Sequence, residues 1–96
     1  MTLRQLIAER RDDIVNIAAK HGARNIRLFG SAARGEDRPD SDTDLLVDVG
    51  STTSSWFPAG LILDLEQILG RPVEITTEKG LNPLIKQRVL REAIPL

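Results

Sequence analysis

The chain contains no cysteine. Disulfide bridges and thiolate chemistry are therefore excluded, and a reducing compartment is the setting that fits. Aromatic residues make up only 3% of it, too few to build a platform on which the bases of single-stranded nucleic acid stack. Charge of one sign is lacking as well. The 13 basic side chains meet 14 acidic ones for a net charge of -1, which gives no field to attract nucleic acid or an anionic membrane. No apolar run approaches the ~20 residues of a membrane span, and no signal-peptide pattern is present. A cytoplasmic location is expected. With 96 residues, 41% hydrophobic and 28% charged, the chain reads as one domain spanning residues 1–96. At this size its single core buries ~60–65% of the unfolded surface.

What the sequence does have is concentrated between Ile26 and Val49, IRLFGSAARGEDRPDSDTDLLVDV. Two short apolar runs each adjoin a polar feature that a purely structural domain does not need. The first, Ile26 to Phe29, ends in Gly30-Ser31. The second, Leu45 to Val49, is preceded by Asp42-Thr43-Asp44. Residues two apart on a strand share a face, so Asp42 and Asp44 aim the same way, roughly 6.6 Å apart along the backbone. Two like charges at the start of a hydrophobic strand repel unless a cation joins them. A carboxylate pair suits Mg²⁺, which takes oxygen ligands and completes its octahedron with water and substrate phosphates. Gly30-Ser31 offers a residue without a side chain, then a hydroxyl and the free N–H groups of an expected helix start, a place to hold those phosphates. Each half alone is weak: an acidic pair before a strand is often a solvated turn, and Gly50-Ser51 shows how readily Gly-Ser arises. The conjunction of strand, Gly-Ser, ten residues, Asp-x-Asp and strand carries the signal.

The flanks supply a frame. Thr2 to His21 reads as one amphipathic helix capped by Thr2 and stopped by Gly22, with Leu3, Leu6, Ile7, Ile14, Ile17 and Ala18 on one face. His21, the only histidine, sits in its last turn, where a cation favours the helix dipole. Asn25 to Phe29 is the first strand, Gly30 to Gly35 a short helix and Thr43 to Val49 the second strand. Ser55 caps a helix from Trp56 to Leu69, with Leu61, Ile62, Leu65, Ile68 and Leu69 as its core stripe. Trp56 and Phe57 suit base stacking, satellite core or a partner surface equally. Val73 to Thr77 is a third strand, and Leu84 to Ala93 a last helix carrying Lys86, Arg88 and Arg91. The order αβαβαβα gives an α+β fold, helices packed on a small three-stranded mixed sheet.

Phe29-Gly30-Ser31-Ala32-Ala33-Arg34-Gly35 and Ser41-Asp42-Thr43-Asp44-Leu45-Leu46-Val47 resemble the signature of the polymerase-β-type nucleotidyltransferase superfamily. The similarity is closest to its minimal nucleotidyltransferases, the antitoxins of HEPN–MNT toxin–antitoxin systems, and extends over nearly the whole chain. The resemblance implies transfer of AMP from ATP to a hydroxyl, with release of pyrophosphate. Gly30, Ser31 and Arg34 would hold the triphosphate. Asp42 and Asp44 would bind two Mg²⁺ ions. A third carboxylate on the neighbouring strand aligns with Glu74, where the family more often has Asp. Glu74 would complete the metal site and take the proton of the incoming hydroxyl. Asp48 shares the face of Asp42 and Asp44 but lies ~13 Å beyond Asp44, too far to share an ion. Asp64 and Glu66 are expected to point to solvent.

The acceptor is read from absence. Relatives that modify small molecules or polymerise nucleotides carry further domains, and none is seen here. The resemblance points instead to a hydroxyl of a partner HEPN toxin ribonuclease, a tyrosine near its catalytic motif. The rival reading is a binding module that silences the toxin by covering it, its metal residues relict. Glu74 favours the rival; the intact Gly-Ser and Asp-x-Asp favour the enzyme.

Overall fold

The computed structural model describes residues 2–96. Thr2 opens the chain with a capping box: its hydroxyl accepts from the Gln5 N–H, and the Gln5 side chain accepts from the Thr2 N–H. The expected single first helix is two, α1 (Leu3–Glu9) and α2 (Arg11–Lys20), because the Arg10 backbone leaves the helical region at φ -96°, ψ 10°. Residues 8–13 are all exposed, so nothing apolar holds this middle stretch against the core. On either side of the break the stripe survives, with Leu3, Ile7, Ile14 and Ala18 buried.

Strand β1 (Ala23–Phe29) starts two residues before the expected Asn25 and carries a bulge between Arg24 and Arg27, where Asn25 sits at φ 51°. Strand β2 (Thr43–Val49) falls where the alternation places it. Helix α3 (Ala59–Leu69) is three residues shorter than expected. Residues 55–58 are turn, Ser55 caps nothing, and Pro58 occupies the N-cap instead. Its other end is the expected one, Gly70 at φ 67° closing the helix by donating to the Glu66 carbonyl. Strand β3 (Val73–Thr76), a 3₁₀ turn (Glu78–Gly80) and helix α4 (Pro83–Glu92) follow.

The sheet has four strands rather than three. Ile94–Pro95 forms β4, and the order across the sheet is β3-β2-β1-β4. β1 pairs antiparallel with β2 and with β4, and β2 pairs parallel with β3. Two residues containing a proline leave no periodicity to find, and proline is tolerated there because β4 is an edge. No described helix is long and apolar enough to cross a membrane.

The sheet's two faces differ sharply. One carries Ile26, Leu28, Leu45, Val47 and Val73 and is closed by α1, α2 and α3 into the main core. The other carries Phe29, Asp44, Leu46, Asp48 and Glu74 and is covered more sparsely, by the 3₁₀ turn and by a small cluster in which Leu46 and Phe29 meet Leu81 and, from α4, Val89. His21 ties the far end together. Its Nδ1 lies 2.6 Å from the Ser54 hydroxyl and its Nε2 2.8 Å from an Asp64 carboxylate oxygen, joining α2, the 51–58 linker and α3.

Candidate active site

Register builds the site. Phe29 is the last residue of β1 and lies opposite Asp44, the second residue of β2. Gly30, the next residue, is thereby delivered beside the Asp44 side chain. It turns at φ 76°, and a Cβ built there would overlap the Asp44 carboxylate. Only glycine meets both demands. On the other side of β2, Asp44 is the register partner of Glu74 in β3. Parallel neighbours with matched pleat point to one face, so the two carboxyl groups stand side by side.

The electrostatics follow. Asp44 is pushed up to about 6, first by burial, then by a hydrogen bond and charge repulsion from Glu74 and by the charge of Asp42, with Arg34 acting the other way. A cation beside the Asp44 carboxylate would relieve the same repulsion. The donors are all carboxylate oxygens, the set a hard divalent ion takes. Asp42 lies just before β2, exposed, and completes the face that Asp44 and Glu74 begin. Among the described residues, no three His, Cys, Asp or Glu side chains are gathered closely enough to cage an ion. The donors therefore fit a metal by their chemistry, while Asp42, turned to solvent, is not gathered with the other two.

Between the aspartates, Thr43 points to the opposite face. It is fully buried, and its hydroxyl has no hydrogen-bond partner, while its N–H donates to the Pro72 carbonyl at 2.8 Å.

The expected helix after Gly30 is a series of turns over residues 31–35. Arg34 N–H donates to the Gly30 carbonyl at 3.3 Å and Glu36 N–H to the Ser31 carbonyl at 2.8 Å. The segment is too short, and too rich in glycine, to propagate a helix. Ser31 is half-buried at its start. Arg34 donates from Nε to Glu36 at 3.0 Å and from Nη1 to Glu92 at 3.2 Å, and these two carboxylates raise its pKa above the ordinary arginine value. It is also the cation felt by Asp44.

Several acids take other places. Asp48 receives Arg27 at 2.7 Å and Asn25 at 2.9 Å, and the Asn25 hydrogen bond leads in holding it below the usual carboxylate range. Asp64 is mostly exposed but holds His21. Glu66 does not point to solvent: it accepts the Val73 N–H at 3.0 Å, fixing the start of β3 one residue before Glu74. Trp56 is 86% exposed, while Phe57 packs on the main core. Phe57 and Pro58 line a hollow with Ile75, Thr76, Thr77 and Gly80, toward the end of β3 away from Glu74. Arg71, half-buried, reaches Asp37 at 3.6 Å and the Arg38 carbonyl at 3.4 Å, tying the 36–41 loop to the approach to β3. The sequence gives no local signal for the contacts of Glu66, Arg71 or Glu92, since their partners are settled only by the tertiary fold.

The chain is similar to known proteins over nearly its whole length. The family described as nucleotidyltransferase domain matches residues 5–96. A Methanocaldococcus jannaschii protein provisionally named a protein adenylyltransferase is 39% identical over 88 residues, 92% of this chain and 95% of its own. Protein adenylyltransferase MntA of Thermococcus cleftensis is 39% identical over 75 residues, 78% of this chain and 76% of its own. Among solved structures, a provisionally named minimal nucleotidyltransferase superimposes with TM-score 0.84 at 49% identity, covering 100% of this chain and 97% of that one. A toxin–antitoxin solved with AMP-PNP shares the fold at TM-score 0.65 and 22% identity, covering 99% of this chain and 72% of that one.

Proposed function

From the premise that this chain belongs to the nucleotidyltransferase domain family, we propose that it moves AMP from ATP to a hydroxyl of a partner protein. That partner is a HEPN-type toxin and the acceptor a tyrosine, so that the chain acts as its antitoxin. Two relatives carry protein adenylyltransferase names, and a neighbour of the same fold is a toxin–antitoxin solved with AMP-PNP. The observation that carries the reading is the meeting of the Gly30 turn with Asp44, and of Asp44 with Glu74, on the sheet face turned away from the main core.

In the proposed reaction the acceptor oxygen bonds to the α-phosphorus of ATP, the bond from that phosphorus to the bridging oxygen breaks, and pyrophosphate leaves. Glu74 receives the hydroxyl proton. The turn at Gly30 and Ser31 lets phosphate oxygens approach the backbone, and Arg34 faces their charge. Asp42, Asp44 and Glu74 would hold Mg²⁺, which when bound neutralises charge on the attacked phosphate and on the leaving pyrophosphate. The open face leaves room for an acceptor as large as a protein.

One observation favours a second reading, a nucleotide-binding module that neutralises its partner by binding alone: the third carboxylate is the longer Glu74, and it is exposed. Incubating purified partner with ATP, Mg²⁺ and this chain decides between them. Addition of AMP to the partner, seen by intact mass, supports the enzyme. A tight complex with no mass change overturns it in favour of the module.

A further inference from the structure

We infer that Glu92, at the end of α4, is a positioning residue of the nucleotide site, acting through Arg34. The inference rests on the proposed phosphate contact of Arg34 and deepens it.

A guanidinium has five N–H donors in a fixed plane. Arg34 spends Nε on Glu36 and Nη1 on Glu92, which leaves Nη2 without a hydrogen-bond partner among the described residues. Two carboxylates from different parts of the chain therefore grip two sides of the plane and leave the third side free. Glu36 is local and 62% exposed, whereas Glu92 comes from 58 residues away and is 29% exposed, so Glu92 supplies the firmer anchor. Its own position is over-determined. Val89, three residues earlier, is buried against Leu46 and Phe29, and Ile94, two residues later, pairs with Leu28 of β1. Leu28 and Phe29 are the two residues before Gly30. The same strand end thus fixes both the turn that bears Arg34 and the segment that bears Glu92.

An arginine on an exposed turn otherwise samples many rotamers, and holding it before the ligand arrives lowers the cost of binding. A lysine has three donors but no rigid plane, so holding two of them would not fix the direction of the third.

The test is calorimetric titration with ATP and with AMP, each in excess Mg²⁺, on four proteins: the parent chain, Arg34→Ala, Glu92→Ala and the double variant. Arg34→Ala is expected to weaken ATP about tenfold or more, the loss of one charge-assisted bond, and AMP much less. Glu92→Ala is expected to weaken ATP about fivefold in the parent background and not at all in the Arg34→Ala background. Glu92→Gln, which still accepts a hydrogen bond, restores most of the affinity. If Arg34→Ala leaves ATP affinity unchanged, the phosphate contact itself is wrong. If Arg34→Ala weakens binding but Glu92→Ala does not, or tightens it, the contact stands and the positioning role is overturned. Circular dichroism melts of each variant show whether a loss reflects unfolding; equal losses for ATP and AMP that track a lowered melting temperature also overturn it.

Discussion

The two faces of one strand, β2, were put to opposite uses. Thr43, Leu45 and Val47 point into the core under three helices, and all three are at most 1% exposed. Asp44 and Asp48 point the other way, with Leu46 between them holding α4. The first set stabilises the fold by removing apolar surface from water. In the second set Asp44 costs stability, since Glu74 and Asp42 repel its charge in the absence of a cation, whereas Asp48 is held by Arg27 and Asn25. A small domain keeps such a face only on a strand whose reverse side is packed well enough to carry it. The comparison therefore separates residues that make the fold from residues that the fold makes available.

Breaking the packed face has the largest effect. Leu45→Ala removes a fully buried side chain from the main core and is expected to cost about 2–5 kcal/mol, read as the unfolding free energy in urea. An effect near zero would mean that the helices do not bear on β2. Next is the hinge between the faces. Gly30→Val meets both the left-handed backbone and the Asp44 carboxylate, so it is expected to cost about 1–3 kcal/mol and to abolish metal-dependent ATP binding. Ser31→Ala, which removes one hydrogen bond to a charged group, weakens binding less, by about 1.5–3 kcal/mol. Equal losses, or none, would move the phosphate cradle elsewhere.

The open face gives a smaller effect on stability, of opposite sign. A carboxyl whose folded pKa is raised favours its protonated form. Its contribution is therefore complete below its unfolded value near 3.8 and lost as pH climbs through about 6. Asp44→Asn removes that loss. The variant is expected to match the parent in acid and to melt higher than the metal-free parent above pH 6, while transferring no AMP. A variant that unfolds at neutral pH would make Asp44 structural. Smallest is Thr43→Val, one residue away on the packed side. It exchanges an unpartnered buried hydroxyl for a methyl and is expected to stabilise by about 1 kcal/mol with transfer unchanged.

The parts of this molecule legible in the sequence were those written in short-range pattern. The alternation Thr43-Asp44-Leu45-Leu46-Val47 placed β2 correctly, and the stripe of Leu61, Leu65 and Leu69 placed the buried face of α3. The placing of Glu74 beside Asp44 came from family resemblance and strand order, and the parallel register puts it there. Where local pattern was weak, tertiary structure decided. A charged middle divided the first helix at Arg10, and a two-residue strand joined the sheet at Ile94–Pro95. The turn after Gly30 did not become a helix. Arg34, expected at the phosphates, is paired in the structure with neighbouring Glu36 and with Glu92, which no spacing rule could have found.

The central claim is that the open face of the sheet is a metal-dependent nucleotide site, and titration calorimetry with ATP tests it most directly. The parent chain and Glu74→Gln are each titrated in Mg²⁺ and again in a chelator. The account predicts that the parent binds ATP in Mg²⁺ and not in chelator, because phosphates would otherwise face Asp42 and Asp44 uncompensated, and that Glu74→Gln binds more weakly in Mg²⁺ while remaining folded. Equally tight binding with and without the metal, or a Glu74→Gln variant indistinguishable from the parent, would contradict it.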